Sequence, residues 1–292
     1  MAQFDLSRRG VLALTGAAAA AATAGLATGL AATARPARLF STDTGAGRTV
    51  ILLHGWTCDS HDWSWQLPVL ESRYRVVAVD LRGHGRSEVM PPGGYTPADY
   101  VADIESLIAT TYGGQPFVLV GHSMGGQIAA RLAARRPDLV SAVVSVDGAL
   151  GLSSDLAPVF RKTADDLNAG DPGAVGPALF ELFYDAATDP AYRRWHARRM
   201  QGVPLHVVRE SFGPLFLGPG QVGIGKRSED FLKGLTVPVY HLSRNPAQVG
   251  PMRSWLSHPK SKVDLWTGAG HWIMQDRKDD VNAALAAWID AL

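Results

Sequence analysis

Ser123 lies at the centre of the segment Gly121-His122-Ser123-Met124-Gly125, which separates two stretches of different pattern. Residues 116–120 form an apolar run typical of a buried strand, and residues 126–132 are typical of a helix. A serine at such a strand-to-helix turn has the spacing of a nucleophile elbow, where flanking glycines leave room that a Cβ would fill. The pattern therefore predicts that the Ser123 hydroxyl is a nucleophile for acyl chemistry.

Two more turns follow strand-like apolar runs. Residues 49–53 lead into His54-Gly55-Trp56, and residues 75–79 lead into Asp80-Leu81-Arg82-Gly83-His84-Gly85-Arg86-Ser87. With these motifs in this order, residues 48–292 resemble the α/β-hydrolase family. That family has a His-Gly turn after its third strand, an Asp-x-Arg-Gly-x-Gly-x-Ser turn after its fourth and the serine elbow after its fifth. The resemblance implies the branch of serine esterases, lactonases and cofactor-free haloperoxidases.

The segment Gly268-Ala269-Gly270-His271-Trp272 is similar to the family's catalytic-histidine loop. A serine nucleophile needs a base within hydrogen-bond reach, because an alcohol is almost never ionised at neutral pH. We predict that His271 is this base. Other histidines have plainer interpretations, since His122 is held within the elbow and His54 and His84 belong to turns.

The third member of a triad is less obvious. In the family an acid most often follows the seventh strand, but residues 243–248, which follow that strand here, contain no carboxylate. Asn245 in this segment could orient an imidazole without stabilising its positive charge. Replacing the Asp of a serine-protease triad in this way costs about four orders of magnitude in rate.

Asp147 ends the family's sixth strand, and certain dehalogenases and lactone hydrolases of this fold take their acid from that position. We therefore predict a triad of Ser123, Asp147 and His271, which keeps the family's chain order of nucleophile, acid and base. The alternative is that Asp147 only caps the following turn. Asp264, inside the eighth strand, and Asp276, in the turn after His271, are lesser candidates.

Acyl transfer also needs donors for the oxyanion that forms on the substrate carbonyl. The backbone N–H of Met124, one residue past the nucleophile, is the first predicted donor. By family analogy the second is the backbone N–H of Trp56. The Trp56 ring either walls the substrate pocket or packs against a helix, as Trp63 and Trp65 nearby would allow.

Strand-like and helical stretches alternate after residue 34, which predicts an α/β fold with a mostly parallel sheet and helices on both faces. The predicted strands are 49–53, 75–79, 117–120, 142–146, 237–242 and 262–266, and the predicted helices are 97–111, 125–136 and 279–292. The family's first two strands are expected to be truncated or poorly formed, because little chain precedes residue 49.

The hydrolase core is predicted at residues 35–150 and 234–292, with a helical cap at 151–233 inserted after the sixth strand. Such a cap would exclude water from the serine and supply an apolar pocket. Its large apolar side chains are assigned mostly to a small core within the cap; they are Phe180, Phe183, Tyr184, Trp195, Met200, Phe212 and Phe216. The Gly- and Pro-rich run 213–220 is expected to form a flexible rim.

Composition excludes several classes of function. The net charge is +1 and no long basic run is present, which argues against nucleic-acid binding. The arginines at 193–194 and 198–199 are interpreted as a solvated helix face. A single cysteine excludes an internal disulfide, and no metal or nucleotide motif indicates a cofactor.

Residues 1–34 have the pattern of an export signal. Arg8 and Arg9 precede an apolar stretch rich in Ala and Gly that ends in the small residues 32–34. This resembles a twin-arginine signal, which predicts a secreted or periplasmic protein without stable membrane association after cleavage. An uncleaved anchor is the alternative, although so few Leu and Ile would insert weakly.

The leading hypothesis is a secreted, cofactor-free serine hydrolase that cleaves a small hydrophobic ester or lactone through an acyl-enzyme on Ser123. Dehalogenase and epoxide hydrolase chemistry on this fold is disfavoured, because it needs a carboxylate nucleophile. One alternative is a perhydrolase of the cofactor-free haloperoxidase type with the same triad. The other is a catalytically silent ligand-binding protein, supported by the missing acid after the seventh strand. Substrate identity and oligomeric state stay open.

Overall fold

The computed structural model describes residues 35–112 and 115–292, so the predicted export signal lies outside the described residues. The described chain forms a single sheet of seven strands. They are β1 (Phe40–Thr44), β2 (Thr49–Leu53), β3 (Arg75–Asp80), β4 (Phe117–His122), β5 (Val140–Val146), β6 (Val239–Ser243) and β7 (Lys262–Leu265). Strands β2 to β7 correspond to the six predicted strands, and their ends agree within two residues.

The strand order across the sheet is β1-β3-β2-β4-β5-β6-β7. All neighbours are parallel except β1, which pairs antiparallel with β3 from Phe40 opposite Asp80 to Thr44 opposite Val76. The expectation that the first strands are poorly formed is therefore wrong for β1. Its pairing with β3 from Val76 to Asp80 compensates for a sequence that carries little apolar pattern.

Eleven α-helices accompany the sheet in the described residues. They are α1 (Leu67–Glu71), α2 (Pro97–Thr111), α3 (Met124–Arg135), α4 (Ala157–Ala169), α5 (Pro172–Glu181), α6 (Pro190–Gly202), α7 (Leu205–Phe216), α8 (Gly225–Lys233), α9 (Pro246–Trp255), α10 (Ile273–Asp276) and α11 (Lys278–Asp290). Short 3-10 turns cover Ser60–Trp63 and Ser154–Leu156. None of these helices combines the length and apolar character needed to cross a membrane.

Five of the helices, α4 to α8, lie between β5 and β6 and form the cap predicted after the family's sixth strand. The central strands β2 to β5 are buried at almost every position, as expected of a parallel sheet covered by helices on both faces. The run 213–220 is not all loop, because its first four residues complete the last turn of α7.

The elbow is a sharp turn from β4 into α3. Ser123 has φ +50° and ψ −114°, and its N–H donates to Val146 of β5 at 3.0 Å. A Cβ on Gly121 would overlap the Gly125 backbone, and a Cβ on Gly125 would overlap the Leu53 carbonyl of β2. The flanking glycines thus let strand, helix and neighbouring strand meet at one point.

Three non-glycine residues of the described chain have a positive φ: Thr57 (+58°), Ser123 (+50°) and Asp147 (+42°). Thr57 lies in the loop after β2, and the other two directly follow β4 and β5. Such conformations cost of order 1–3 kcal/mol each and persist only where the surrounding structure enforces them. The unfavourable backbone conformations therefore gather at the carboxyl edge of three adjacent strands.

The packing of Gly125 can be tested by the Gly125→Ala variant, which we expect to lose about 1–3 kcal/mol of unfolding free energy because its methyl group meets the backbone of β2. The matched control is Gly250→Ala in α9, where a Cβ would have open space around it. That variant should gain roughly 0.5 kcal/mol, the helix preference of Ala over Gly. Urea unfolding followed by circular dichroism measures the free energy of unfolding of both variants. Equal changes in the two would refute the steric argument.

Candidate active site

A cavity of about 520 Å³ lies where the carboxyl edge of the sheet meets the cap. Ser123, Asp147 and His271 all line it, together with the Trp56 ring. The structure therefore brings the three predicted triad residues to a single cavity. Asp147 lies beside Ser123 because β4 and β5 are neighbouring parallel strands in register at their ends.

His271 and Asp147 are joined by a hydrogen bond of 2.6 Å between Nδ1 and Oδ2. An ionised carboxylate can only accept, so Nδ1 carries the proton and Nε2 of the neutral ring has its lone pair free. This is the tautomer that a general base requires. Asp147 thus does more than cap the turn that follows β5.

The carboxylate of Asp147 also accepts from Arg244, which follows β6. Nε of Arg244 lies 3.0 Å from Oδ2, and its backbone N–H lies 3.3 Å from Oδ1. Burial alone would raise the pKa of Asp147, but the hydrogen bond from His271 and the charges of His271 and Arg244 outweigh it and lower the pKa to about 2. Asp147 is therefore ionised at neutral pH.

The loop that carries His271 is fixed by backbone contacts on both sides. The His271 N–H donates to the carbonyl of Phe183 in the cap at 2.7 Å, and its own carbonyl accepts from Nε2 of His122 at 3.0 Å. One residue earlier, the N–H of Gly270 donates to Oδ2 of Asp276 at 2.7 Å. His122 and Asp276 thus support the histidine loop rather than act as base or acid.

Ser123 Oγ makes no hydrogen bond with another residue of the described chain, so the nucleophile and His271 share the cavity without being bonded. Catalytic hydrogen bonds are often long in the absence of substrate and tighten once it binds.

The predicted oxyanion donors come from the start of α3 and from the loop after β2. Met124 is the first residue of α3, so its N–H has no partner within the helix and carries the positive end of the helix dipole. Trp56 lies in the loop after β2, and its N–H finds no acceptor among residues 35–112 and 115–292. The Trp56 ring lines the cavity and also packs on cap residues Phe180 and Phe212.

The remaining acid candidates have other partners. Asn245 caps α9 by accepting from the Ala247 N–H at 3.0 Å. Asp264 accepts from the hydroxyl of Tyr240 at 2.7 Å, and Asp276 also accepts from Thr188 at 2.8 Å. Among these side chains, Asp147 is the one that bonds to His271.

The cap aromatics belong both to the hydrophobic core and to the cavity wall, since Phe180, Phe212 and Phe216 are buried and also line the cavity. Four of them line the cavity: Phe180, Phe183, Phe212 and Phe216. Two apolar side chains at the cavity, Leu182 and Val159, are 71% and 48% exposed, which places them at its mouth. The cap thus supplies the apolar wall of the pocket and an apolar entrance.

A second polar cluster joins the cap to the core behind the cavity. Asp62 of the first 3-10 turn is fully buried and pairs with Arg199 of α6. Burial alone would raise the pKa of Asp62, but the charge of Arg199 outweighs it and lowers the pKa well below its usual range. Arg199 therefore does not belong to a solvated helix face, which corrects its interpretation, whereas Arg198 is exposed as expected.

Trp272 and Gln275 extend this cluster to the catalytic loop. Nε1 of Trp272 and Nε2 of Gln275 both donate to Asp62, at 3.2 Å and 3.1 Å. His196 of α6 stacks on the Trp272 ring with centroids 3.8 Å apart. The described residues contain no group of three or more His, Cys, Asp or Glu side chains arranged to hold a metal ion.

Sequence inspection missed Arg244, Asp62 and Arg199. Arg244 follows β6 directly, and a charged residue at a strand's carboxyl end is a usable indication of a site residue. Asp62 and Arg199 had no such indication, because their pairing depends on how the cap packs on the core.

Comparison with known proteins agrees with this fold. A family model described as alpha/beta hydrolase fold matches residues 48–203. The chain is 40% identical over 268 residues to 2-(acetamidomethylene)succinate hydrolase of Mesorhizobium japonicum, which covers 85% of this chain and 90% of that protein. It is 30% identical to a non-heme haloperoxidase of Rhodococcus erythropolis, over 87% of this chain and 96% of that one.

Among solved structures, a thermophilic esterase from Thermogutta terrifontis superposes with a TM-score of 0.75 at 25% sequence identity. The match covers 89% of this chain and 96% of the esterase. The two folds therefore agree over most of both chains.

The buried ion pair can be tested with Arg199→Met, which leaves the Asp62 carboxylate inside the protein without its cation. Loss of one partner of a buried pair costs about 3–5 kcal/mol, and we expect a loss of unfolding free energy of this size. Arg198→Met, an exposed neighbour on the same helix, should change it by less than about 0.5 kcal/mol. Chemical unfolding measures both free energies of unfolding. An Arg199→Met variant as stable as the wild type would mean that Asp62 is not held as an ion.

Proposed function

The chain belongs to the alpha/beta hydrolase fold family, and on that premise we propose that it is a serine hydrolase that cleaves a carboxylic ester or a lactone. The observation that carries the proposal is the 2.6 Å hydrogen bond between His271 and Asp147 in the cavity that also holds Ser123. It leaves Nε2 of His271 free to take a proton from the serine.

In the proposed reaction, Ser123 Oγ attacks the substrate carbonyl while Nε2 of His271 accepts the serine proton. Asp147 stabilises the imidazolium that results, and its ionised state is secured by the lowered pKa. The oxyanion lies between the N–H groups of Met124 and Trp56, each worth about two to three orders of magnitude in rate. The intermediate then collapses, and His271 gives the proton to the leaving oxygen.

Water completes the cycle by attacking the acyl-enzyme with His271 again as base. For an ester the alcohol has already left; for a lactone the leaving oxygen stays attached to the acyl chain and departs with it. The apolar cap would exclude bulk water from the cavity. Electrostatic interactions there would then be stronger, because the local dielectric constant is lower than that of water. An apolar portion of the substrate fits this wall.

Perhydrolysis is the second candidate, because the haloperoxidase of Rhodococcus erythropolis is a relative over nearly its whole length. The same triad would form an acyl-enzyme from a carboxylic acid, and hydrogen peroxide would replace water as the attacking group to give a peracid. The argument for a silent binding protein loses its basis, since Asp147 supplies the carboxylate that seemed to be missing.

The triad is tested by mass spectrometry after incubation with a fluorophosphonate, which labels a serine activated by a base. We expect one adduct on Ser123, and a loss of about four orders of magnitude in ester hydrolysis for Asp147→Asn. Asp264→Asn is the matched control and should stay close to wild type, because Asp264 bonds to Tyr240 instead.

Absence of the adduct in folded protein would contradict the proposal, as would equal losses in the two Asn variants. Peracid formation that depends on acetate and peroxide, without ester hydrolysis, would favour the perhydrolase.

We also propose that the protein is exported through its twin-arginine pattern and cleaved close to residue 34, which rests on Arg8, Arg9 and the small residues before the cleavage point. In a host with twin-arginine export, the wild type should appear outside the cytoplasm with a new N-terminus, found by intact mass. Replacing Arg8 and Arg9 by Lys should retain it inside the cell. Arg161→Lys, on the exposed face of the cap, is the control. Export unaffected by the double replacement would exclude this route.

A further inference from the structure

The cavity has strongly apolar walls but one permanently cationic side chain. Of the described residues that line it, Arg244 is the only lysine or arginine. It follows β6 and reaches the cavity beside the triad acid. The proposed acyl-transfer mechanism has no step that uses a guanidinium. The position of Arg244 in the cavity therefore indicates another role.

Only some of the N–H groups of the Arg244 guanidinium have a hydrogen-bond acceptor in the described residues. Nε donates to Asp147 at 3.0 Å, and the guanidinium carbon lies 5.6 Å from the centre of the Phe183 ring. Its terminal nitrogens Nη1 and Nη2, with four N–H groups, donate to no other residue in the described part of the chain. The side chain is 31% exposed, so these donors are open to a molecule in the cavity.

Holding Asp147 does not require these free donors. The carboxylate already accepts from His271 and from the Arg244 backbone N–H, and the latter would survive any change of side chain. When substrate fills an apolar cavity it displaces the water that solvates the guanidinium, and a charged group without a partner is then costly. A second anion would remove this cost.

A carboxylate is the anion that matches the geometry. It can accept two parallel hydrogen bonds from the fork of a guanidinium. In the unliganded site the negative charge of Asp147 and the positive charge of Arg244 cancel, and the nearby oxyanion site is served by neutral N–H groups. Asp147, the partner of the Arg244 guanidinium, also accepts a hydrogen bond from His271. A substrate carboxylate could therefore bind the N–H groups of Arg244 that Asp147 does not use.

We propose that Arg244 selects substrates that carry a carboxylate close to the scissile carbonyl, such as half-esters of short dicarboxylic acids, with their apolar portion against the cap. This rests on the proposed hydrolase function and narrows its substrate class. Because Arg244 contacts the triad acid directly, the spacer between the carboxylate and the ester is short. Arg244 is then a specificity-determining residue.

The test compares ethyl hydrogen glutarate with ethyl glutaramate, a neutral amide of the same length, by the rate of ethanol release. Wild type should prefer the half-ester by about tenfold to hundredfold in kcat/KM, the range of a hydrogen bond between charged groups. Arg244→Gln should lose this preference through a higher KM for the half-ester. Any loss of kcat that follows from its missing contact with Asp147 should be the same for both esters. Arg244→Lys should keep part of it, and Arg198→Gln on the exposed face of α6 should keep all of it.

Two results would overturn the proposal. One is a wild type that does not distinguish the two esters. The other is an Arg244→Gln enzyme that keeps the wild-type preference for the half-ester while kcat falls equally on both esters and the pH profile shifts. That pattern would mean that Arg244 acts only by holding Asp147. A half-ester series from malonate to adipate locates the spacer length.

Glutarate binding separates this proposal from the hydrolase function. Isothermal titration calorimetry with glutarate needs no turnover, and we expect binding to wild type that Arg244→Gln loses. If neither ester is cleaved but this binding is found, the hydrolase function fails and the anion site stands. If esters are cleaved and glutarate binds wild type and Arg244→Gln alike, the function stands and the anion site fails.

Discussion

The buried carboxylate of Asp147 is the group on which the rest of the site depends. It is stable as an anion because His271 and Arg244 both donate to it, and these donors come from the loops after β7 and β6. A charge removed from water is tolerated only when it is paired and hydrogen-bonded. The same two contacts set the tautomer of His271 and place a guanidinium in the cavity. One anion at the end of β5 therefore fixes both the base and the charge pattern that a substrate would meet.

Placing that anion requires unusual backbone. Ser123 and Asp147 both adopt a positive φ directly after neighbouring parallel strands, and Thr57 does so after the strand on the other side. The cost is met by the packing around them: Gly125 lets α3 approach β2, and the Ala149 N–H donates to the carbonyl of Ser123 at 3.0 Å. Parallel strands make this arrangement possible because their carboxyl ends meet at one edge, where the chain order also reverses between β2 and β4.

The sequence predicts well what is encoded locally. Runs of apolar residues located β2 to β7, and the glycines on both sides of Ser123 located the elbow, since each depends on neighbours in the chain. Asp147 was found for a related reason, because it ends a strand whose place beside β4 follows from the fold. The ion pair between Asp62 and Arg199 was not found, since it joins residues 137 positions apart whose meeting depends on the docking of the cap. Arg199 shares its helix with exposed arginines, and only packing distinguishes it from them.

The docking of the cap bears on catalysis as well as on specificity. The Phe183 carbonyl of the cap accepts from the backbone of His271, and a Cβ on Gly270 would strike the cap backbone at Phe183. On the far side, Asp62 binds both Arg199 of the cap and Trp272, the residue next to His271. The proposed base is thus held between two contacts that span cap and core. If the cap moved away to admit a substrate, the hydrogen bond between the Phe183 carbonyl and the His271 N–H would break. Full positioning of His271 therefore requires a docked cap, which would couple closure over a substrate to the proton transfer of the proposed mechanism.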